Sequence, residues 1–198
     1  MISSALVLVI YFIFFAIVHS VLADPRFKDK ARHSMGNSFD RWSRLGFILL
    51  ALLMVLPFIY YVIAVPSKLL YIIPFPGSWL MIAGRILAAL ALLLALRQTG
   101  MSYFLGFAQL QEIEKTKKHN LVTNGFYCHL RNPLFFFGAL FLWLSPIMTA
   151  NLFLFNILAT AYFYVGARHE ERSLRLEFGD DYEDYRRAVP MFIPRMRC

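Results

Sequence analysis

The chain has 198 residues, 59% of them hydrophobic and only 16% charged, with a mean hydropathy of +0.57. That leaves too little polar side chain to cover a water-soluble globule, so a bilayer is the expected solvent. The net charge of +8 could suit nucleic acid, but the basic residues flank apolar runs and no nucleic-acid motif accompanies them. They read as a topology signal with attraction to membrane lipids, and nucleic acid is set aside as a partner.

Five apolar runs follow one another, over residues 2–22, 45–65, 79–96, 134–148 and 152–165. The first lacks a basic segment before it and carries Arg26, Lys28, Lys30 and Arg32 after it, so it reads as a retained helix and not as a signal peptide. Arg85 lies inside the third run and is expected to snorkel to the interface. A spanning helix needs about 17 to 25 residues. The last two runs fall short of that and predict a helical hairpin, with Asn132 and Pro133 starting it and Ser145-Pro146 with Thr149-Ala150-Asn151 reversing it.

Past the fifth run, Arg168 to Glu177 continues the helix. Gly179 suits its stop, and Asp180 or Asp181 can cap a short helix ending before Pro190. Tyr182 and Tyr185 share one face of that helix, which folds back as a lid. The expected fold is an all-α membrane protein of about five transmembrane helices, the last two a hairpin, with a C-terminal cytoplasmic helical lid. Residues 1–198 form one domain, in which 1–97 is a three-helix membrane scaffold and 98–198 a cofactor-binding loop, hairpin and lid. Arg41 and Arg44 join the basic residues between the first two spans, and Arg97, Lys115, Lys117, Lys118 and Arg131 lie between the third and fourth, whereas the opposite loops offer Lys68. The positive-inside rule then puts the N-terminus outside and the C-terminus in the cytoplasm.

The polar segment His119-Asn-Leu-Val-Thr-Asn-Gly-Phe-Tyr-Cys-His-Leu-Arg-Asn-Pro133 is wedged between apolar runs on the predicted cytoplasmic side. Gly125 is expected to take a turn conformation that other residues resist, and Tyr127 offers an aromatic face for an adenine ring or a sulfonium. Glu170 and Glu171 are adjacent, so on a helix they point about 100° apart. Glu171 is read as an exposed ion pair with Arg175, and Glu170 as the group that grips a cationic ligand. Cys128 and Cys198 cannot make a disulfide framework and lack metal-site spacing; Cys128 reads as a space-filling residue, and no metal is expected.

His119-x-Leu-Val-x-x-Gly125-x-Tyr127-x-x-x-Arg131-x-Pro133, then Gly138, then Glu170-Glu171, Phe178-Gly179-x-x-Tyr182-x-x-Tyr185 and Val189-Pro190, resembles the integral-membrane S-adenosylmethionine methyltransferases, which include isoprenylcysteine carboxyl methyltransferase and phospholipid N-methyltransferases. The resemblance covers about residues 119–194. It implies S-adenosyl-L-methionine as cofactor, contacted by His119, Asn120, Leu121, Val122, Tyr127, the turn of Asn132, Pro133, Leu134 and Phe135, and Glu170. It also implies a small or lipophilic methyl acceptor (thiol, carboxyl, amine or lipid headgroup), with Arg131 and Arg168 as weaker acceptor contacts. His129 or His169 could take a proton from that acceptor.

Two departures bear on function. The family's Arg-His-Pro is Arg131-Asn132-Pro133 here, replacing an imidazole by an amide that cannot titrate near neutrality. Carboxyl-methylating members carry an arginine one turn before the glutamate, where this chain has Gly166. Two other classes stay open: a haem-binding membrane isomerase-like protein with His19 and His33 as axial ligands, and a non-catalytic membrane scaffold of the same fold.

Overall fold

The computed structural model describes residues 4–100, 120–196 and 198. Among them four helices are long and apolar enough to cross a membrane: Ser4–Ala23, Trp42–Ala64, Gly77–Gln98 and Ala150–Phe178. Leu53, Ile63 and Leu80 on these helices are 62%, 79% and 73% exposed, exposures that suit lipid and not water. The described residues form two compact units, one of residues 4–68, 100 and 150–155, the other of residues 69–99, 120–149, 156–196 and 198.

In the first unit α1 (Ser4–Ala23), α2 (Pro25–Met35) and α3 (Asn37–Ala64) follow one another. Phe12 and Phe15 of α1 close edge-on around Phe58 of α3, at 5.8 and 5.7 Å between ring centroids. Two hydroxyls tie the helices through backbone carbonyls: Tyr11 to Met54 at 2.9 Å and Tyr61 to Ser4 at 2.8 Å. α2 is an amphipathic, basic helix where sequence reasoning saw only a charged loop. The same unit holds the start of α6 (Ala150–Phe178), where Asn151 is bonded to the Ser67 hydroxyl and the Val65 carbonyl.

The second unit begins with β1 (Leu69–Ile72), which pairs antiparallel with β2 (Ile147–Thr149), Ile72 opposite Ile147. The described residues are mostly helical, as expected, with this short sheet in addition: Pro74 and Pro146 cannot donate helical hydrogen bonds, and strand pairing satisfies the backbone between helices instead. α4 (Gly77–Gln98) and α5 (Pro133–Trp143) pack closely, Gly84 facing Leu144 and the Arg85 guanidinium lying 4.4 Å over the Phe141 ring. Arg85 thus finds an aromatic face within the protein.

Among the described residues four helices, not five, are long and apolar enough to cross a membrane. α5 is 11 residues long, only about 16 Å at 1.5 Å per residue, whereas the fifth apolar run is the first half of the 29-residue α6. Within the second unit α5 and α6 run antiparallel, since Phe135 meets Gly166, Gly138 meets Phe163 and the Trp143 indole N–H donates to Thr160 at 2.9 Å. α7 (Asp180–Ala188) follows Gly179, whose φ of +55° ends α6 as the sequence implied. Asp180, Asp181 and Glu183 in its first turn and Arg186 and Arg187 in its last complement the helix dipole.

Candidate active site

Gly125 has φ +61° and opens a 3-10 turn over Gly125–Cys128. A Cβ there would also run into the Gln98 side chain, whose oxygen accepts the Phe126 N–H at 3.1 Å. The turn is therefore clamped to the end of α4. It presents Tyr127, which is buried and whose carbonyl accepts the Tyr185 hydroxyl at 2.6 Å. Burial first, then the Glu170 carboxylate and Tyr185, push the Tyr127 hydroxyl above its ordinary range. Tyr127 and Glu170, 43 residues apart in sequence, thus share one electrostatic neighbourhood.

Beneath that neighbourhood lies a buried ion pair. Arg131 Nε donates to Glu171 Oε1 at 2.8 Å, both side chains at most 10% exposed, and Asn132 Nδ2 donates to the same oxygen at 3.0 Å. One guanidinium nitrogen of Arg131 also donates to the Arg186 and Val189 carbonyls at 2.7 and 2.8 Å. Arg131 therefore fastens the end of α7 to the loop before α5. Two main-chain bonds reinforce the tie, Arg131 N–H to Pro190 and Asn132 N–H to Met191.

This geometry corrects the reading of Glu171. It is buried and bonded to Arg131, while Arg175 pairs with Glu183 of α7 at 2.6 Å. Helical phase explains the difference: Asn156, Ala159, Ala167 and Glu171, spaced by three, eight and four residues, form one buried stripe, so Glu171 points inward. Glu170, one residue earlier, is exposed as a ligand-gripping group needs to be.

Tyr182 and Tyr185 stand together as expected, their rings 6.0 Å apart. Tyr182 is fully buried, and its hydroxyl has no hydrogen-bond partner among the described residues. Burial, and after it the Glu171 carboxylate, push that hydroxyl up to about 12. Since an unmet buried hydroxyl carries a desolvation cost, Tyr182→Phe should leave the melting temperature unchanged or raise it, by up to the equivalent of about 1 kcal/mol. A clear drop would mean the hydroxyl has a partner.

The remaining expected site residues fall as follows. His119 lies outside the described residues. Asn120 is exposed, Leu121 and Val122 are half-buried, Pro133 is buried, and Leu134 and Phe135 are half-buried at the start of α5. Asn132 begins α5 without a side-chain cap bond, because its amide is directed to Glu171. Arg131 is committed to the fold, and Arg168 is exposed. Gly166 is filled by the Phe135 ring, which would come within 3.3 Å of a Cβ there.

Of the histidines, His129 bonds the Arg195 carbonyl at 2.7 Å, whereas His169 is exposed. His19 stacks against Phe47 and Phe15, at 4.6 and 5.5 Å, and His33 is exposed on α2, an arrangement of packing and solvent contact that does not favour axial ligation. The sequence reading missed Gln98 and the joining of Cys128 to Cys198 in a disulfide, which corrects the view of Cys128 as filler. Beside the turn is a cavity of 650 Å³ lined by Leu94, Arg97, Gln98, Phe126, His129 and the disulfide. Tyr127 and Glu170 are not among the residues that line it.

A helical membrane protein with a clamped turn, a short proline-started helix and a returning helix that carries adjacent glutamates is the architecture to be placed. Methanethiol S-methyltransferase 2 of Bradyrhizobium diazoefficiens is 47% identical over 70 residues, 35% of this chain and 27% of that protein. Methanethiol S-methyltransferase 1 of the same organism is 28% identical over 191 residues, 92% of this chain and 64% of that one. Protein-S-isoprenylcysteine O-methyltransferase of Schizosaccharomyces pombe is 32% identical over 105 residues, 50% of this chain and 42% of that one. The chain thus spans between 27% and 64% of the length of these relatives. No protein-family profile and no solved structure matches it. The chain is thus similar in sequence to methanethiol S-methyltransferases and to protein-S-isoprenylcysteine O-methyltransferases.

Proposed function

We propose that this chain transfers a methyl group from S-adenosylmethionine to a thiol, at the cytoplasmic face of a membrane. The observation that carries the choice of acceptor is the Phe135 ring seated on Gly166. Carboxyl-methylating relatives are expected to hold an arginine at that place, and here an aromatic ring fills it. An apolar, uncharged wall gives a carboxylate no counter-charge and suits a polarisable sulfur. The names of the methanethiol S-methyltransferases among the relatives support the same acceptor.

For the cofactor, the residues present fit the group. Glu170 is exposed beside Tyr127, pairing a carboxylate for an ammonium with an aromatic face. The start of α5 offers the N–H groups of Leu134 and Phe135 to a carboxylate, after a proline that has none to offer. Bound there, S-adenosylmethionine supplies an electrophilic methyl on a sulfonium. The chain's own residues then align donor and acceptor and exclude water, a contribution that can reach about 10⁵ M in effective molarity. In this reading α5 and α6 are the hairpin that frames the site. α7 is its lid, held by Arg131, and the basic residues keep this face in the cytoplasm with the N-terminus outside.

The test is product identity. Purified protein in detergent, given S-adenosylmethionine labelled on its methyl group, should label a small alkanethiol as a volatile thioether. It should label an isoprenylated cysteine at least tenfold less. Label recovered mainly as a base-labile methyl ester would reverse the choice of acceptor.

A further inference from the structure

We propose that Cys128 and Cys198 form a reversible thiol switch in which Cys198 is the reactive thiol and His129 its base. The two cysteines are 70 residues apart and joined, with Cα atoms 5.1 Å from each other. Arg195 holds the segment near the turn through one main-chain and one side-chain bond: its N–H donates to the His129 carbonyl at 2.9 Å, and its guanidinium donates to the Ala188 carbonyl at 3.0 Å. Arg195 is thus tied to the 3-10 turn's end by hydrogen bonds independent of the disulfide.

His129 is oriented for a proton. Its Nδ1 lies 2.7 Å from the Arg195 carbonyl oxygen. A carbonyl only accepts, so Nδ1 carries the hydrogen and Nε2 presents its lone pair. Nε2 is 3.3 Å from Cys198 Sγ. An imidazole lone pair at that distance stabilises a thiolate by accepting its proton, which is how reactive cysteines are made. Cys128 Sγ, in turn, is 3.0 Å from the Gly125 carbonyl, the acceptor a reduced thiol would use.

Both sulfurs can be reached. Cys198 is exposed and Cys128 half-buried, and both line the 650 Å³ cavity and a second one of 410 Å³. In the closing direction the Cys198 thiol gives its proton to His129 Nε2, and the thiolate attacks a small-molecule disulfide. One S–S bond breaks, a mixed disulfide forms and the first small thiolate leaves. Cys128 as thiolate then attacks Cys198 Sγ and expels the second. The two protein thiols lose two electrons and two protons, which the two small thiols carry off; opening is the reverse, driven by excess small thiol. Because Cys128 directly follows Tyr127, closure pins the turn that presents Tyr127.

The competing reading is a metal held by Cys128, His129 and Cys198, whose donor atoms lie within 4.8 Å of one another. Intact-mass spectrometry of the full chain in detergent, equilibrated with reduced and oxidised glutathione and trapped with a maleimide, separates the two. Expected is a form lacking two hydrogens that takes up no maleimide under oxidising mixtures, converting to a doubly modified form under reducing ones. In a Cys128→Ser background, adding His129→Gln should slow alkylation of Cys198 at pH 7 by about tenfold. Double modification under every mixture, a stoichiometric bound metal in the untreated protein, or equal alkylation rates with and without His129 would each overturn the proposal.

Discussion

Glu171→Ala should destabilise the protein by about 3 to 5 kcal/mol, the cost of leaving one member of a buried ion pair without its counter-charge. Arg131 would keep the Arg186 and Val189 carbonyls but lose its carboxylate, and the Asn132 amide would lose its acceptor in the same step. Because Arg131 bridges the loop before α5 and the end of α7, the loss should also loosen α7. Thermal unfolding in detergent measures the first effect, and proteolysis between α6 and α7 the second. Arg175→Ala is the contrasting control: its pair with Glu183 is 48% and 30% exposed, and such pairs contribute about 0 to 1 kcal/mol. Equal destabilisation by the two substitutions would contradict the assignment of the buried pair.

Glu170→Ala should do the opposite. Its side chain is exposed and none of the ties that hold α7 uses it, so the melting temperature should stay near that of the unaltered protein. Binding of S-adenosylmethionine should weaken by about tenfold or more, since a hydrogen bond to a charged group contributes about 1.5 to 3 kcal/mol. Adjacent glutamates would then give two separate phenotypes, one in stability and one in affinity. A Glu170→Ala protein that binds the cofactor normally would remove Glu170 from the proposed site.

Much of this arrangement was legible in the residues. Composition pointed to the bilayer. The positive φ of Gly125 and Gly179 followed from their places in a turn and at a helix end, and Pro133 marked the start of α5. What escaped was set by contacts distant in sequence. The inward turn of Glu171 depends on Arg131, 40 residues away, and local spacing alone offered Arg175 as an equally good partner. The strands β1 and β2 are four and three residues long and gain their reason to exist only when paired. The disulfide needs the fold to bring Cys198 to the turn.

The most direct test of the central claim is titration calorimetry of S-adenosylmethionine into detergent-purified, monodisperse protein, run beside Glu170→Ala. Saturable binding by the unaltered chain that the variant loses while keeping its melting temperature is the predicted result. No heat of binding to a folded, monodisperse chain would contradict the account and leave the non-catalytic scaffold as the better description.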